Sequence, residues 1–380
     1  MDISLHNLQS QALPPSTHLR IMTFDANNDL LWNGLVSASP QGSVFLRSDW
    51  LDMLRSTDKC GLDFLRIGYF DAKQRLVGGW VLPYRRLGGL RYAAVGFEFF
   101  YAGPLLLPEL SCPTMHYSKE RHTVLSGLAQ MMRQETDLAV AETHPSLQDV
   151  RDFLYQNWTI SPEYTHIWDM LEPDAILARM NREKRREIKR GMEAYQFAHE
   201  ELHMQNFEEF IVIYQKTMRK FGWYPSSNWR DSLYQRLEWM CSQDGCRLYT
   251  ARTPSGAMAA AVLVLLSRED QTVYLWRMAH DSDLRDSRVV PALYWWSSFA
   301  ISQHEPNLRY VNFGGSPLPS LGQFKDYLGA QPIQHFRLIH RRPSVRLGLW
   351  RGVDQARDLG RKILAQYPWL DRIRIKGGGI

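Results

Sequence analysis

The sequence predicts a mixed α/β protein made of two tandem domains, each a mostly antiparallel twisted sheet flanked by helices. The chain of 380 residues exceeds one ordinary domain of roughly 100–200 residues. Its composition, 44% hydrophobic and 22% charged, is typical of a soluble globular protein and excludes a mostly disordered chain. The same order of elements, a helix, a turn-linked strand pair and further strands, occurs twice at an offset of roughly 180 residues. The repeat is one of architecture rather than of close sequence.

The first predicted domain covers residues 18–165 and follows a polar segment, residues 1–17, that we expect to be loose. The turn DAKQ separates two apolar runs and predicts that they pair as antiparallel strands. Residues 91–107 are rich in aromatic side chains and predict a strand followed by a groove-lining loop. Strands are predicted at 18–24, 62–70, 75–85, 137–142 and 164–171, and helices at 48–54 with Ser48 as cap, 118–135 and 146–156.

The second predicted domain covers residues 166–343 and repeats this order. Asn206 is the expected N-cap of an amphipathic helix at 206–222. The turn PSG separates two strands that we expect to pair. Further helices are predicted at 173–195, 288–303 and 320–328, and strands at 197–202, 246–253, 257–267, 271–280, 308–313 and 333–340.

The net charge of +5 is concentrated in two segments. Residues 182–190 hold six basic and two acidic side chains, and residues 341–376 hold ten basic and three acidic ones, so the rest of the chain is net negative. A local positive field attracts phosphates, anionic lipid head groups or RNA. A solvated helix face is the structural alternative for either run.

The C-terminal tail, residues 344–380, predicts a basic amphipathic segment with an apolar stripe of helical period that includes Leu349, Val353 and Tyr367. Docking on the protein itself is the structural interpretation of this tail, and an anionic membrane surface and tRNA are the alternatives. The chain has no apolar run long enough to span a membrane and no secretory pattern at its start, so we expect a cytoplasmic protein. Any peripheral contact with a membrane is expected through this tail.

No pattern predicts a metal site or a covalent nucleophile. The four cysteines, Cys60, Cys112, Cys241 and Cys246, form no C-x-x-C pair and have no histidines at zinc spacing. Signatures of Ser-His-Asp or Cys-His catalysis are also absent from the sequence. We therefore expect neither a metal nor a bound cofactor.

One segment of the second half resembles a known family. Residues 310–330, YVNFGGSPLPSLGQFKDYLGA, give a strand, the Gly314–Gly315 turn, a short helix carrying Phe324 and Lys325, and then a glycine. This order resembles the Fem-type branch of the GNAT acyltransferase superfamily. The Pro and aromatic character of 289–301, the basic run 182–190 and the aromatic-then-Gly-Pro segment 96–106 match the family as well, so the resemblance spans about 20–340.

The resemblance implies tandem GNAT domains and an N-acyltransferase in which an amine attacks an acyl ester or thioester. Fem-type relatives use aminoacyl-tRNA as donor, and other members of the superfamily use acyl-CoA. The acceptor implied is an amine on a small molecule, a sugar or a cell-wall precursor. Lys325, with Phe324 beside it, is the implied catalytic residue, because a cation there faces developing negative charge.

The candidate substrate-binding residues form two groups. The first group surrounds the glycine turn, where a bare backbone can approach a ligand closely. The second is one face of the basic helix, where guanidinium groups can clamp a phosphate. The first consists of Gly314, Gly315, Ser316 and Tyr101, and the second of Arg182, Arg185, Arg186 and Lys189. No general base is evident, and Asp281, Asp283, Asp286, His280 and His335 are weak candidates.

Two departures from the family leave the donor open. Asn312 stands where the family often has Asp, and neither half contains the Q/R-x-x-G-x-G/A loop that holds the CoA pyrophosphate at a helix N-terminus. The sequence therefore favours aminoacyl-tRNA, with acyl-CoA-dependent N-acetyltransfer in envelope, polysaccharide or small-molecule biosynthesis as the alternative. A non-catalytic module that binds RNA or membrane is the rival outside the enzymes.

Overall fold

A computed structural model describes residues 20–87, 89–94, 96, 98–111, 119–169, 173–219, 227–316 and 318–342. The tail and residues 1–17, for which the sequence makes predictions, lie outside these ranges. The strands are β1 Arg20–Thr23, β2 Asp63–Phe70, β3 Leu76–Leu87, β4 Leu90–Ala94, β5 Leu105–Leu106, β6 Leu138–Glu142, β7 Thr159–Asp169, β8 Gln196–Glu200, β9 Cys246–Arg252, β10 Met258–Ser267, β11 Thr272–His280, β12 Tyr310–Gly315 and β13 Gln331–Arg341. The helices are α1 Asp29–Ala38, α2 Ser48–Thr57, α3 Pro108–Ser111, α4 Lys119–Glu135, α5 Arg151–Tyr155, α6 Pro173–Arg179, α7 Arg182–Ala194, α8 Met204–Arg219, α9 Ser227–Ser242, α10 Val289–His304 and α11 Pro319–Tyr327.

The strands form one large, mostly antiparallel sheet, which confirms the predicted fold class. Their order is β1-β2-β3-β4-β6-β13-β7-β12-β11-β10-β9-β8, with β5 paired to β3. Two neighbouring pairs, β4 with β6 and β11 with β12, are parallel. Each parallel pair needs a crossover, and α4 and α10 supply these connections.

Strand β13 joins the two halves of the chain. It pairs with β7 from Gln331 opposite Ile167 to Ile339 opposite Thr159. Its other edge pairs with β6, which belongs to the first half. The predicted boundary between residues 165 and 166 falls inside β7, so the halves are joined by continuous hydrogen bonding rather than by a linker. The division into two domains stays a prediction.

Aromatic packing also crosses the junction. Phe45 and Trp50 of the first half lie in one core with Tyr274 and Trp276 of the second. The Phe45 ring centroid is 4.8 Å from that of Tyr274, in an edge-to-face arrangement. The high aromatic content of the sequence thus serves partly to fill the contact between the halves.

A buried charge cluster reinforces this contact. The Glu98 carboxylate of the first half accepts a 2.7 Å bond from Arg236 and 3.1 Å bonds from Arg277, both in the second half. Arg277 is 5% exposed, so its charge depends on this partner. Near the surface, Arg47 pairs with Glu269 at 3.2 Å across the same junction.

Two sequence predictions about helix starts are wrong. Asn206 is buried inside α8, which begins at Met204, because its amide bonds the preceding turn instead, with Oδ1 accepting from the His203 N–H at 2.9 Å. The predicted helix 173–195 is divided into α6 and α7. Asn181 interrupts it, because its side chain accepts the Lys184 N–H at 2.9 Å and so caps a new helix.

Other elements differ in extent from their predictions. The helix predicted at 146–156 is reduced to α5, and within the segment 91–107 the strands are β4 and the short β5. Helix α2 starts at Ser48 itself, with Arg47 in the cap position. The sequence did not predict α1 or α9. Within the described ranges, no helix combines the length and apolar character that crossing a membrane requires.

We predict that Gly191 is required for the close packing of α7 on α10. A Cβ atom added at Gly191 would lie 2.6 Å from the Ala292 Cβ and 2.9 Å from the Arg288 carbonyl oxygen. Gly191→Ala should lower the free energy of unfolding by about 1–3 kcal/mol, because one helix must move away from the other. Urea denaturation measures this change.

Gly34 provides the matched control, since it is also a helix glycine but has open space at its Cβ position. Gly34→Ala should be neutral or stabilising by up to about 1 kcal/mol. Equal effects of the two substitutions would show that the α7–α10 contact tolerates a methyl group.

Candidate acyl-transfer site

A crevice is expected where the parallel strands β11 and β12 separate. Their pairing covers Thr272 with Tyr310 through Tyr274 with Asn312 and then stops, although β11 continues to His280. Crevices at the carboxyl ends of parallel strands are common ligand sites in α/β proteins. The Gly314–Gly315 turn lies at this end of β12.

Gly314 has the conformation that the sequence led us to expect of this turn. Its φ is +71°, in the left-handed region that favours glycine. A Cβ atom here would lie 3.2 Å from the ring of Phe100 in the first half. The turn therefore needs glycine both for its backbone conformation and for its close approach to the other half.

Lys325 is buried beneath this turn. Its Nζ donates to the carbonyl oxygens of Phe313, Gly314 and Gly315 at 2.9, 2.8 and 2.7 Å. These bonds use all three donors of a lysine ammonium. Burial lowers the pKa of Lys325 from 10.5 to about 8, while the carbonyl contacts favour the charged form. In this geometry Lys325 fixes the turn, and its direct contact with an acyl group stays a prediction.

Phe324 connects α11 to the neighbouring helices. It is half-buried, and its ring centroid lies 6.5 Å from that of Tyr294 on α10. The Lys184 ammonium on α7 lies 5.4 Å from the same ring, within the range of a cation–π contact. These contacts give Phe324 a packing role, and its predicted catalytic role remains a prediction.

His166 is a site residue that sequence reasoning missed. Its Nδ1 lies 3.4 Å from the Oγ of Ser316, and its Nε2 lies 3.4 Å from the Asp326 carboxylate. Burial, and then the nearby Lys325 charge, lower the pKa of this histidine. A neutral imidazole is therefore favoured beside the turn. The sequence signal was weak, because His166 is one of several polar residues in β7.

A hydrogen-bond network ties the turn to both halves. Asn312 Oδ1 accepts from the Thr165 hydroxyl at 2.6 Å and from the Gly314 N–H at 2.8 Å. Asn312 Nδ2 donates to the Tyr101 hydroxyl at 2.8 Å. An amide can donate and accept at once, which a carboxylate cannot, and this explains how Asn serves where the family often has Asp. Tyr101 is fully buried, and burial raises its pKa.

A cavity of about 300 Å³ lies beside this network, between the two halves. This volume is at the lower end of the range for small-molecule sites, roughly 300–1,000 Å³. Its lining comes from β7, β11, β12 and β13, the turn before β11, the end of α6 and two first-half loops. The residues are Tyr101, His144, Pro145, Ile167, Asp169, Arg179, Asp270, Thr272, Tyr274, Tyr310, Asn312, Gln331 and Ile333. Of the predicted site residues, the cavity includes Tyr101.

The four predicted basic residues lie on the surface of α7. Arg182, Arg185, Arg186 and Lys189 are exposed, and they form no ion pair with any residue that the structure describes. The neighbouring Lys184 points inward and pairs with Glu187 at 2.6 Å. The start of α7 adjoins the end of α11, since the Asn181 N–H donates to the Tyr327 carbonyl at 3.0 Å. The exposed charges thus belong to the same region of the fold as the glycine turn.

Comparison with known proteins agrees with this architecture. Residues 178–325 match the family model of the acetyltransferase (GNAT) domain. The crystal structure of FemX superposes with a TM-score of 0.61 at 11% identity, over 83% of this chain and 96% of FemX. A tandem GNAT protein from the clavulanic acid biosynthesis pathway gives a TM-score of 0.52 at 15% identity, over 85% of this chain and 98% of that one.

A third solved structure, a conserved protein of unknown function from Bacteroides thetaiotaomicron VPI-5482, gives a TM-score of 0.53 at 10% identity, over 84% of this chain and 99% of that one. At these identities the likenesses show the fold alone. No curated protein matches the sequence.

The family match and the similar solved structures show a GNAT-type fold. Residues 178–325 carry the match to the GNAT domain, and the described chain has the fold of FemX and of a tandem GNAT protein. The resemblance seen in the 310–330 segment is thereby confirmed. The roles of individual residues remain predictions.

We predict a pH-dependent effect of Lys325 on stability. Below pH 8 the lysine is charged in both the folded and the unfolded chain, so the folded state carries the full desolvation penalty. Between pH 8 and about 10.4 the unfolded chain binds more protons than the folded one, so stability rises with pH. Relative to Lys325→Met, the wild type should gain up to about 3 kcal/mol across this window.

The measurement is the difference in free energy of unfolding between wild type and Lys325→Met at pH 7.5, 8.5 and 9.5. Other titrating groups are common to both proteins and cancel. A difference that stays constant or falls with rising pH would contradict a lowered pKa.

Proposed function

We propose that this protein forms an amide bond by transferring an aminoacyl group from aminoacyl-tRNA to an amine acceptor. The amine nitrogen attacks the ester carbonyl and a new C–N bond forms. The ester C–O bond breaks, and the proton that the amine loses ends on the released ribose hydroxyl. The acceptor belongs to the primary amines of small molecules, sugars or cell-wall precursors.

The exposed basic face of α7 is the observation that carries this proposal. Along about two helical turns beside the end of α11, Arg182, Arg185, Arg186 and Lys189 present cations that no described residue pairs with. Unpaired surface cations in a row suit a nucleic acid backbone, which carries regularly spaced phosphates. Ion-paired lysines and arginines, such as Lys184, contribute less to such a field.

The N-terminus of α10 gives independent support, because it suits a pyrophosphate poorly. Asp286 accepts the Arg288 N–H at 2.9 Å just before this helix and places a negative charge there. Arg288 and the Tyr195 hydroxyl hold the carboxylate, and the pKa of Asp286 is strongly lowered by these bonds, first of all those of Arg288. Pro291 in the first turn has no N–H to offer. A helix N-terminus with these features offers a diphosphate fewer free N–H groups than a glycine loop would.

Acyl-CoA is the second candidate donor. The matched family model is that of an acetyltransferase domain, and one similar structure comes from a small-molecule biosynthesis pathway. Under this alternative, the crevice between β11 and β12 receives a thioester and the basic face of α7 contacts the CoA phosphates.

A direct comparison of donors tests the proposal. Purified protein is titrated with an aminoacyl-tRNA pool and, separately, with acetyl-CoA and longer acyl-CoAs at two salt concentrations. Tight tRNA binding that weakens steeply with salt, without saturable CoA binding, is the expected result. Saturable acyl-CoA binding with negligible tRNA affinity would reject the tRNA donor in favour of the second candidate.

We predict that Arg182→Gln/Arg186→Gln weakens tRNA binding electrostatically. If each arginine neutralises one phosphate, the slope of log K against log salt concentration should decrease in magnitude by about 2. Binding should also weaken at each salt concentration. Filter binding or fluorescence titration over a salt series measures both effects.

Lys73→Gln/Arg219→Gln is the matched control, since both of its residues are exposed cations far from α7 in the sequence. It removes the same net charge and should leave the slope nearly unchanged. If both double variants alter the slope equally, the effect is one of overall charge and the assignment to α7 fails.

A further inference from the structure

The cavity between the halves contains a buried carboxylate, one oxygen of which has no hydrogen-bond partner among the described residues. Asp270 lines the cavity, and its side chain is 5% exposed. Its Oδ1 is buried and has no hydrogen-bond partner among the described residues. Such atoms are rare in folded proteins, because a desolvated polar oxygen without a partner is destabilising. A carboxylate oxygen without a partner, beside a cavity of this size, is suited to accept a hydrogen bond from a ligand.

The other oxygen of this carboxylate is firmly held. The hydroxyl of Tyr274 donates to Asp270 Oδ2, and the Nε2 of His144 lies 3.5 Å from the same oxygen. The Ser146 N–H donates to His144 Nδ1 at 3.2 Å, which leaves the imidazole proton on Nε2, facing Asp270. Oδ2 therefore accepts a hydrogen bond from the second half and lies near the His144 ring of the first half, and Oδ1 is left for a ligand.

The position of Asp270 is fixed by its turn. Gln271 has a φ of +55°, and its carbonyl accepts the N–H groups of Arg309 and Tyr310 at 2.8 and 3.1 Å. The Thr272 hydroxyl donates to the Asp270 carbonyl at 3.0 Å. These bonds attach the turn to the start of β12, so the carboxylate is pre-positioned before any ligand arrives.

Among the residues that the structure describes, no cation neutralises this oxygen. Arg179 is the one basic side chain of the cavity lining, and its Nε donates to the Ala175 carbonyl in its own helix at 3.3 Å. Its guanidinium makes no bond to Asp270 in the part of the chain that the structure describes. The cavity also includes Asp169, which adds a second carboxylate to the lining.

The walls of the cavity are suited to a cation as well. Tyr101, Tyr274 and Tyr310 contribute aromatic rings to the lining. Aromatic faces attract ammonium groups, and the attraction is stronger when the contact is desolvated. A carboxylate with tyrosines around it therefore selects a small cationic group with N–H donors over a neutral or anionic one.

We propose that this cavity binds the primary ammonium group of the acceptor, with Asp270 Oδ1 as its hydrogen-bond acceptor. The inference rests on the proposed function for the amine's role in catalysis, but the binding site itself does not require a particular donor. The ammonium can belong to an amino sugar or to a lysine-type side chain, and these share the chemistry that the site recognises.

Direct binding measurements without any donor test the site. The probes are glucosamine and Nα-acetyl-lysine amide, each compared with its N-acetylated counterpart, which lacks the cation. Wild type should bind at least one amine at least tenfold more tightly than its neutral counterpart. The sugar or lysine arm that binds identifies the source of the ammonium. Failure of both amines to bind overturns the proposal.

Asp270→Asn keeps the shape of the side chain and removes its charge. It should weaken binding of the preferred amine at least tenfold and leave the acetylated probe unaffected. Asp231→Asn removes one charge from an exposed position on α9 and should bind as wild type does. Equal amine affinity of Asp270→Asn and wild type overturns the proposal.

Tyr310→Leu keeps the test decisive if Asp270→Asn does not fold. Tyr310 is 40% exposed at the rim of the cavity, so its replacement should be tolerated by the fold. Loss of its aromatic face should weaken amine binding several-fold, and unchanged affinity would argue against the cavity as the binding site. Donor titrations on the same proteins separate the two proposals, because amine binding through Asp270 stands or fails independently of tRNA binding.

Discussion

The insertion of β13 between β6 and β7 is the constraint on which the rest of the structure depends. Its hydrogen bonds extend over most of β7 and all of β6, so they set the angle and distance between the halves. Gln331 and Ile333 at its start form part of the cavity lining, next to Ile167 of β7. Without this strand neither half would present a closed surface to the other. The Glu98 cluster and the aromatic core then stabilise a geometry that the strand has already defined.

Strand β12 brings the two sides of the proposed reaction together. Asn312 lines the cavity and Gly314 faces Phe100 of the first half, whereas Phe313 packs under α10 on the opposite side, as the alternation of a strand requires. The turn that ends β12 therefore lies between the cavity and the helices that carry the basic surface. In the proposed reaction, the amine reaches the turn from one face of the sheet and the acyl donor from the other. Lys325 keeps this turn in place from below.

The sequence was informative where function depends on neighbouring residues. The strand, glycine turn and Lys325 lie within one short segment, so their pattern was sufficient to predict the turn and the family. The bonds of Asn312 to Thr165 and Tyr101 join residues that are 147 and 211 positions apart, and no local pattern encodes such a pairing. Asp270 and His144 were missed for the same reason. Asn206 and Asn181 show a different limit, since the same residue type suits a cap or a buried helix position and tertiary contacts decide between them.

The place of β13 in the sheet also determines the order in which the chain can fold during synthesis. Strands β6 and β7 are made early, but they are not hydrogen-bonded to each other, and the strand that separates them is the last one of the described chain. Until residues 331–341 have left the ribosome, β6 and β7 each have one edge with unpaired backbone N–H and C=O groups. Such edges can pair with other chains and lead to aggregation. The first half therefore cannot complete the pairing of β6 before residues 331–341 are synthesised, as it would if it folded as an independent domain. The sheet that joins the two halves can therefore be completed only after residues 331–341 have been synthesised.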